Sequence, residues 1–364
     1  MRNRAYMQMK NRLINLAKKR KKPILGHFEL TSRCNLDCKM CYVHTLNYGE
    51  ACSKELSTEQ WKAIFDEAYD CEMLYAYLTG GECLLRKDFK ELYLHLWNKR
   101  VMISVQTNGT LLDGEYVEFF KTYRPDAIRI SLYGSNEEGY LQVTGHKGFE
   151  KTIAAITGLQ EAGIDVSVAV TPSKYMLDDY VNILKLCKNK GFNVLYNDLT
   201  LLPNRTDSNK TDYYMSDEEI IYLSKQRAKM CKKLVPNEET PEPQGKKIVF
   251  PAEGLTCNAG NCLAAVTWEG KMHPCLNAMV GGADVLELGY AEAWRQTVEA
   301  ASKVKYGIEC VGCAYEKVCP KCPVHRLTGM NTGHCNPEIC ELTRKLVAAG
   351  VKKLDNPEES SCND

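Results

Sequence analysis

The run Ile24-Leu25-Gly26-His27-Phe28-Glu29-Leu30-Thr31-Ser32-Arg33-Cys34-Asn35-Leu36-Asp37-Cys38-Lys39-Met40-Cys41 decides the fold, because an apolar, strand-like segment leads without a break into a loop of three cysteines. Residues 24–30 read as a buried strand, and the cysteines follow with gaps of three and then two residues. Thiols this close need a common explanation. Thiolates are the usual ligands of iron-sulfur clusters, and a cluster of four irons takes four of them. Only three are local, since Cys52 lies beyond the turn-like Tyr48-Gly49-Glu50. The economical reading is a 4Fe-4S cluster with one iron open, and an open coordination position marks a catalytic metal. The competing readings are a zinc knuckle, which wants four ligands and usually CxxC pairs, and three unrelated core cysteines.

Outward from that loop, strand-like and helix-like segments alternate. Strands are expected over residues 73–78, 101–106, 127–132, 164–170 and 192–199, and helices over 58–70, 87–99, 115–123, 149–162 and 177–190. Gly163 and Gly191 close the last two helices. Alternation of this kind argues for an α/β fold with a parallel sheet and crossover helices. With the first strand included, six βα units fit a partial (β/α)6 TIM-like barrel, in which working groups sit at the C-terminal strand ends.

Those ends carry Thr79-Gly80-Gly81-Glu82, Thr107-Asn108-Gly109 and Ser131-Leu132-Tyr133-Gly134. Paired glycines let backbone approach closely, and the Glu82 carboxylate can meet an ammonium. Thr107-Asn108-Gly109 taken alone is a turn signal. Tyr196, Asn197 and Arg205, near the end of the sixth strand, are polar groups able to face a substrate.

Composition narrows the class. The chain has 364 residues, 47 basic and 46 acidic, and 44% hydrophobic residues. That balance suits a folded protein with a large core and argues against nucleic acid or membrane binding. No apolar run is long enough to span a bilayer. Residues 1–22 are polar and basic, with a helix end at Lys18-Lys19-Arg20-Lys21-Lys22, and form no secretory signal. Eighteen cysteines without an export signal point to a cytoplasmic protein whose thiols hold metal or clusters rather than disulfides.

A second cysteine set lies late in the chain. Cys257 and Cys262 precede an apolar run over 263–268, Gly270 turns the chain as in a hairpin, and Cys275 returns alongside; Cys310, Cys313, Cys319 and Cys322 follow, then Cys335 and Cys340. Residues 284–304 are helical around Trp294. The segment 236–247, rich in Pro, Glu and Thr, reads as a linker. Five parts are therefore expected: an N-terminal basic helix (1–23), a barrel (24–235), the linker (236–247), a cysteine-rich domain (248–345) and a tail (346–364).

The loop Cys34-x-x-x-Cys38-x-x-Cys41 resembles the signature of radical S-adenosylmethionine (radical SAM) enzymes, with Met40 where an aromatic residue is common and Tyr42 following. The resemblance implies that S-adenosylmethionine chelates the open iron through its amine and carboxylate and is cleaved to a 5'-deoxyadenosyl radical. It further implies that Gly80, Gly81 and Glu82 hold the amino group, with Cys83 where proline is usual, and that Met40, Asn108 and Ser131 belong to the cofactor shelf. The late cysteines resemble the SPASM auxiliary-cluster domain, with a shortened gap before Cys322. By position, Cys257, Cys262, Cys275 and Cys322 would hold one auxiliary 4Fe-4S cluster, and Cys310, Cys313, Cys319 and a tail cysteine, Cys340 in preference to Cys335, a second. Three clusters result. Zinc sites are the alternative for the late cysteines alone.

The family likeness implies oxidation of a peptide or protein, an electron donor such as flavodoxin or ferredoxin, and a two-electron product such as a thioether or carbon-carbon crosslink. Ser131-Leu132-Tyr133-Gly134 and Gly145-His146-Lys147-Gly148-Phe149 resemble those of peptide maturases and favour maturation of a ribosomally made peptide, with leader recognition by a separate protein or by the barrel surface. A sulfatase-maturing enzyme is the runner-up, disfavoured by Leu276 where those enzymes carry Asp. A non-catalytic iron-sulfur or zinc protein is the reading from another class. Cys52, Cys71, Cys83, Cys187, Cys231 and Cys362 are expected to be small buried hydrophobes. Cys83 and Cys335 are the two that could contact substrate. His27, His44, His273 and His325 are expected to be structural or surface groups.

Overall fold

The computed structural model describes residues 4–43, 48–196, 205, 212–231, 254–305, 308–316, 318–319 and 337–353. The chain divides into two compact units, Met1–Tyr214 with Leu255–Lys303, and Met215–Gly254 with Val304–Asp364.

The first unit is built on six parallel strands in sequence order: β1 (Leu25–Glu29), β2 (Tyr75–Thr79), β3 (Met102–Thr107), β4 (Ala127–Ser131), β5 (Val166–Val170) and β6 (Val194–Tyr196). Helices α1 (Arg4–Arg20), α2 (Tyr48–Ser53), α3 (Thr58–Asp70), α4 (Phe89–Asn98), α5 (Gly114–Thr122), α6 (Glu137–Thr144), α7 (Phe149–Glu161) and α8 (Tyr180–Asn189) precede or join them. Each strand and helix expected between residues 24 and 196 is present, with ends shifted by up to three residues. The sixth strand is described only through Tyr196, so Asn197 lies outside the described residues.

Two faces of β1 explain why a barrel forms. Phe28 packs edge-on against Phe65 and Trp61 of α3, at 5.0 and 6.1 Å between ring centroids. Successive strand residues point to opposite faces, so His27 and Glu29 face the concave side. Helix α3 begins where its residues demand: Ser57 and Gln60 form a reciprocal capping box, and Trp61, Ile64, Phe65 and Ala68 bury one stripe. Helix α1 lies within the expected N-terminal basic helix, 1–23. Its Lys10 is buried, lies 4.1 Å from the centre of the Tyr75 ring and 3.7 Å from Asp126, and so reaches strand side chains of the sheet.

Helices α2 and α6 were not legible as helices. The first is short and reads as a turn; the second is bounded by Gly134 and Gly145 and starts at an Asn136 cap bonded to the Gly139 amide.

The expected hairpin is present as β7 (Leu263–Val266) and β8 (Lys271–His273), followed by β9 (Ala283–Asp284), α9 (Asp217–Cys231) lying earlier in the chain, and α10 (Val285–Leu288) and α11 (Tyr290–Ser302) around Trp294. Strand β7 pairs in parallel with β1, Leu25 opposite Leu263 and Phe28 opposite Val266. The full order is β6-β5-β4-β3-β2-β1-β7-β8-β9. Residues 255–303 thus pack with the barrel, whereas cysteine spacing grouped them with the later cysteines; the linker 236–247 lies outside the described residues.

In the second unit α9 packs against α12 (Pro337–Ala348), joined by Lys345 and Asp217 at 2.7 Å, with Ile339, Leu342 and Leu346 buried. No helix among the described residues is long and apolar enough to cross a membrane.

Candidate active site

Parallel pairing brings the ends of β1 to β4 to one side. The β1 exit, Thr31 to Arg33, is clamped first. Glu55 accepts bonds from the Thr31 hydroxyl (2.6 Å), the Ser32 amide (2.8 Å) and hydroxyl (2.9 Å), and Arg33 Nε (3.2 Å). Burial pushes the Glu55 carboxyl up, but these bonds outweigh it and hold it below its ordinary value. Arg86 donates to the carbonyls of Leu30 (2.9 Å) and Leu56 (3.0 Å) while paired with Asp88. Neither Glu55 nor Arg86 carried a sequence signal, because each acts on backbone distant in the chain.

The paired glycines fit against this exit. The Gly81 amide donates to the Thr31 carbonyl at 2.8 Å and the Glu82 amide to the Arg33 carbonyl at 2.7 Å. A Cβ on Gly81 would stand 2.3 Å from the Arg33 oxygen, and Gly80, at φ +140°, is beyond the reach of ordinary side chains. The glycines therefore seat one loop on another.

Glu82 is fully buried. It accepts from the Thr107 hydroxyl at 2.8 and 2.9 Å, the Asn108 amide at 2.7 Å and the Leu84 amide at 3.1 Å. Burial raises its carboxyl, with these bonds opposing. Among the described residues no cation pairs with it, so an incoming ammonium would supply the missing partner. Asn108 closes its own turn through Thr110 and also bonds Asn35 (2.9 Å), its amide nitrogen lying 3.9 Å from the Cys34 sulfur. It is thus both a turn cap and a neighbour of the cysteine loop. Cys83 is packed away, donating to the Gln106 carbonyl at 3.4 Å, as a buried structural thiol.

The cysteine loop itself leans on α6: the Asp37 and Lys39 amides donate to the carbonyls of Thr144 (2.8 Å) and Val143 (3.0 Å). Met40 is buried. Cys34, Cys38 and Cys41 are half-buried thiols close enough to raise one another. Burial pushes Cys34 up to about 11, and burial followed by Cys41 and Cys34 raises Cys38 well above its ordinary value. Ser131 bonds the half-buried Tyr133 phenol, which also feels Cys38 and Cys41; Tyr133 was quoted in the sequence without a role. Among the described residues no three His, Cys, Asp or Glu side chains converge as the ligands of a single ion do. In a cluster each thiolate binds its own iron, so three grouped soft donors beside an unpaired buried carboxylate fit a cluster and an amine-bearing cofactor.

Cys257 lies within electrostatic reach of both Cys262 and Cys275, all in the first unit. Cys310, Cys313, Cys319 and Cys340 belong to the second unit. Cys322 and Cys335 lie outside the described residues, as do Cys362, His44 and His325. The His27 ring lies tilted against Tyr77 at 4.6 Å between centroids and His273 Nδ1 is 3.1 Å from the Val280 carbonyl, both structural positions.

The pattern of the Radical SAM superfamily matches residues 28–172. An AdoMet-dependent heme synthase of Methanosarcina barkeri is 27% identical over 321 residues, covering 82% of this chain and 91% of that protein. The sporulation killing factor maturation protein SkfB of Bacillus subtilis is 29% identical over 57% of this chain and 50% of its own length. The crystal structure of Streptococcus suis SuiB bound to S-adenosylmethionine is similar in fold, with a TM-score of 0.68 at 16% identity over 94% of this chain and 84% of that one. SuiB bound to its precursor peptide SuiA gives a TM-score of 0.60 at 16% identity, over 94% and 82%.

Proposed function

The chain belongs to the radical SAM superfamily, and from that premise we propose that it modifies a ribosomally made peptide by removing hydrogen and two electrons from a side chain or α-carbon. Cys34, Cys38 and Cys41 are the residues to hold the catalytic 4Fe-4S cluster. Glu82 receives the amino group of S-adenosylmethionine, Asn108 and Ser131 line its shelf, and Cys257, Cys262 and Cys275 supply part of an auxiliary cluster. When bound, the cluster and cofactor supply the radical that begins such chemistry. The protein's own share is positional: Glu55 and Arg86 hold the β1 exit, α6 supports the cysteine loop, and the glycines lock the two together.

The observation that carries this reading is Glu82, a fully buried carboxylate with hydrogen bonds but no cation among the described residues, one loop away from three grouped thiols. The likeness to SkfB, a maturation protein, and to SuiB with its precursor peptide supports a peptide substrate. The second reading, a tetrapyrrole substrate, is favoured by the heme synthase likeness across most of both chains.

The test is anaerobic reconstitution of the full chain with iron counting and dithionite reduction. Wild type should release 5'-deoxyadenosine, and Cys38→Ala should release none while retaining the iron of the later cysteines. Zinc in place of iron, or no 5'-deoxyadenosine, overturns the enzyme reading. Incubation with candidate precursor peptides should give a product lighter by two hydrogens; a mass change only on an iron porphyrin with propionate side chains selects the tetrapyrrole reading.

A further inference from the structure

On the concave face of β1, Glu29 has no exposure, and the Arg205 guanidinium forks onto both its oxygens at 2.8 and 2.9 Å. The same guanidinium donates to the Leu276 carbonyl. The Arg205 backbone amide donates to the Tyr42 carbonyl at 3.1 Å, and the charge lies 5.0 Å from the Tyr42 ring centre. Tyr42 directly follows Cys41, and Leu276 directly follows Cys275. All of these residues belong to the first compact unit. One side chain therefore meets a strand, the loop behind the first cysteine set and the loop behind the hairpin cysteine.

Stability alone does not account for this arrangement. A buried ion pair exchanged for apolar groups is often no less stable, so its retention needs another reason. An arginine offers five donors in one rigid plane, and here that plane defines angles among three segments that are far apart in the chain. The Nε donor is buried and, among the described residues, has no hydrogen-bond partner, so stability was not maximised at this point. We propose that Arg205, held by Glu29, is a positioning residue that ties the segment behind Cys41 to the segment behind Cys275 and sets how the two cysteine sets face each other. The functional meaning rests on the reading above, in which both sets carry clusters; the bridge itself does not.

The experiment uses the full chain, purified anaerobically with its iron, as wild type, Arg205→Lys, Arg205→Gln, Glu29→Gln and Cys275→Ser. Amide exchange followed by mass spectrometry reads the segments 41–43 and 275–280. Both should exchange about ten-fold faster or more in Arg205→Gln and in Glu29→Gln, with α3 and α7 unchanged, because local opening depends on the contacts that close it. Arg205→Lys keeps the charge opposite Glu29 but not the fork. It should therefore restore the melting midpoint without restoring slow exchange, which also keeps the test alive if the glutamine variants fail to fold. Faster exchange in one segment only, in neither, or full rescue of both properties by lysine overturns the bridge. Spin relaxation of the reduced cluster on Cys34, Cys38 and Cys41 should slow in Arg205→Lys and in Cys275→Ser, as a neighbouring paramagnet moves or is lost. If Cys275→Ser relaxes as wild type does, the assignment of a cluster to Cys275 fails, while the exchange result still decides the bridge.

Discussion

Glu29 and Glu82 are both carboxylates without exposure, but among the described residues only Glu29 has a cation beside it. That difference separates a structural acid from a ligand-seeking one. Glu82→Gln keeps the shape and reverses one hydrogen-bonding direction, so an amide NH2 meets the Asn108 or Leu84 amide. We expect a loss of about 1–3 kcal/mol of stability and, in equilibrium dialysis, at least a ten-fold weaker retention of S-adenosylmethionine, about the value of a lost charge-assisted bond; unchanged retention would show that the amino group binds elsewhere. His27 carries the clearest pH dependence. Burial, then the Arg129 charge, lowers it from 6.5 to about 4. The folded state therefore prefers the neutral ring: its contribution is complete above pH 6.5 and is lost as pH falls towards 4. The loss should reach about 2 kcal/mol near pH 5 and about 3 kcal/mol once the ring is fully charged. Urea unfolding of wild type and His27→Gln at neutral pH and near pH 5 checks it, and equal losses in both chains would contradict it. Glu82 was legible because it follows two glycines after a strand. Glu29 and Arg86 were not, and Arg205, expected as a group able to face substrate, is instead buried against Glu29, since a pair 176 residues apart leaves no local pattern.

At the scale of elements, the decisive joint is the meeting of the Gly80-Gly81 turn with the β1 exit. Gly81→Ala places a methyl 2.3 Å from a backbone oxygen that cannot rotate away, so the two loops must part. We expect destabilisation of at least about 1–3 kcal/mol, the usual cost of overpacking, together with lower iron occupancy at Cys34, Cys38 and Cys41 and undiminished iron at the later cysteines. Normal iron at the first set would show that the joint does not hold the cysteine loop. The helices that flank this joint show what local pattern can and cannot reveal. Helix α3 was readable because its capping residues and its apolar stripe agree. Helix α6 was not, although its Val143 and Thr144 carbonyls receive two amides of the cysteine loop. Its eight residues carry a glycine and sit between glycines, so the stripe is too short to stand out, and its function lies in backbone carbonyls that no side-chain pattern reports.

At the scale of the whole molecule, the six parallel strands followed from alternation of segments, but the edge beside β1 did not. Strand β7 comes more than 200 residues after β1 and pairs with it along Leu25 to Phe28. Its apolar run gave it away as a strand and said nothing about its partner, because pairing register is set by tertiary packing. The consequence is physical: without β7, β1 becomes an edge with unpaired amides and carbonyls, and such edges invite aggregation. The Leu25 amide, bonded to the Cys262 carbonyl at 3.0 Å, and the Lys21 carbonyl, which accepts from the Trp294 indole at 2.7 Å, would lose their partners as well. A chain cut at residue 247, the end of the expected linker, should therefore be recovered as aggregate or protease-sensitive material despite holding all six βα units. A chain cut at residue 303, which keeps the whole of the first unit, should be soluble, and that unit should melt cooperatively. Limited proteolysis and thermal unfolding of both, expressed without oxygen, decide between the two divisions. A stable, monomeric 1–247 fragment would place the boundary at the linker after all and reduce β7 to an accessory strand.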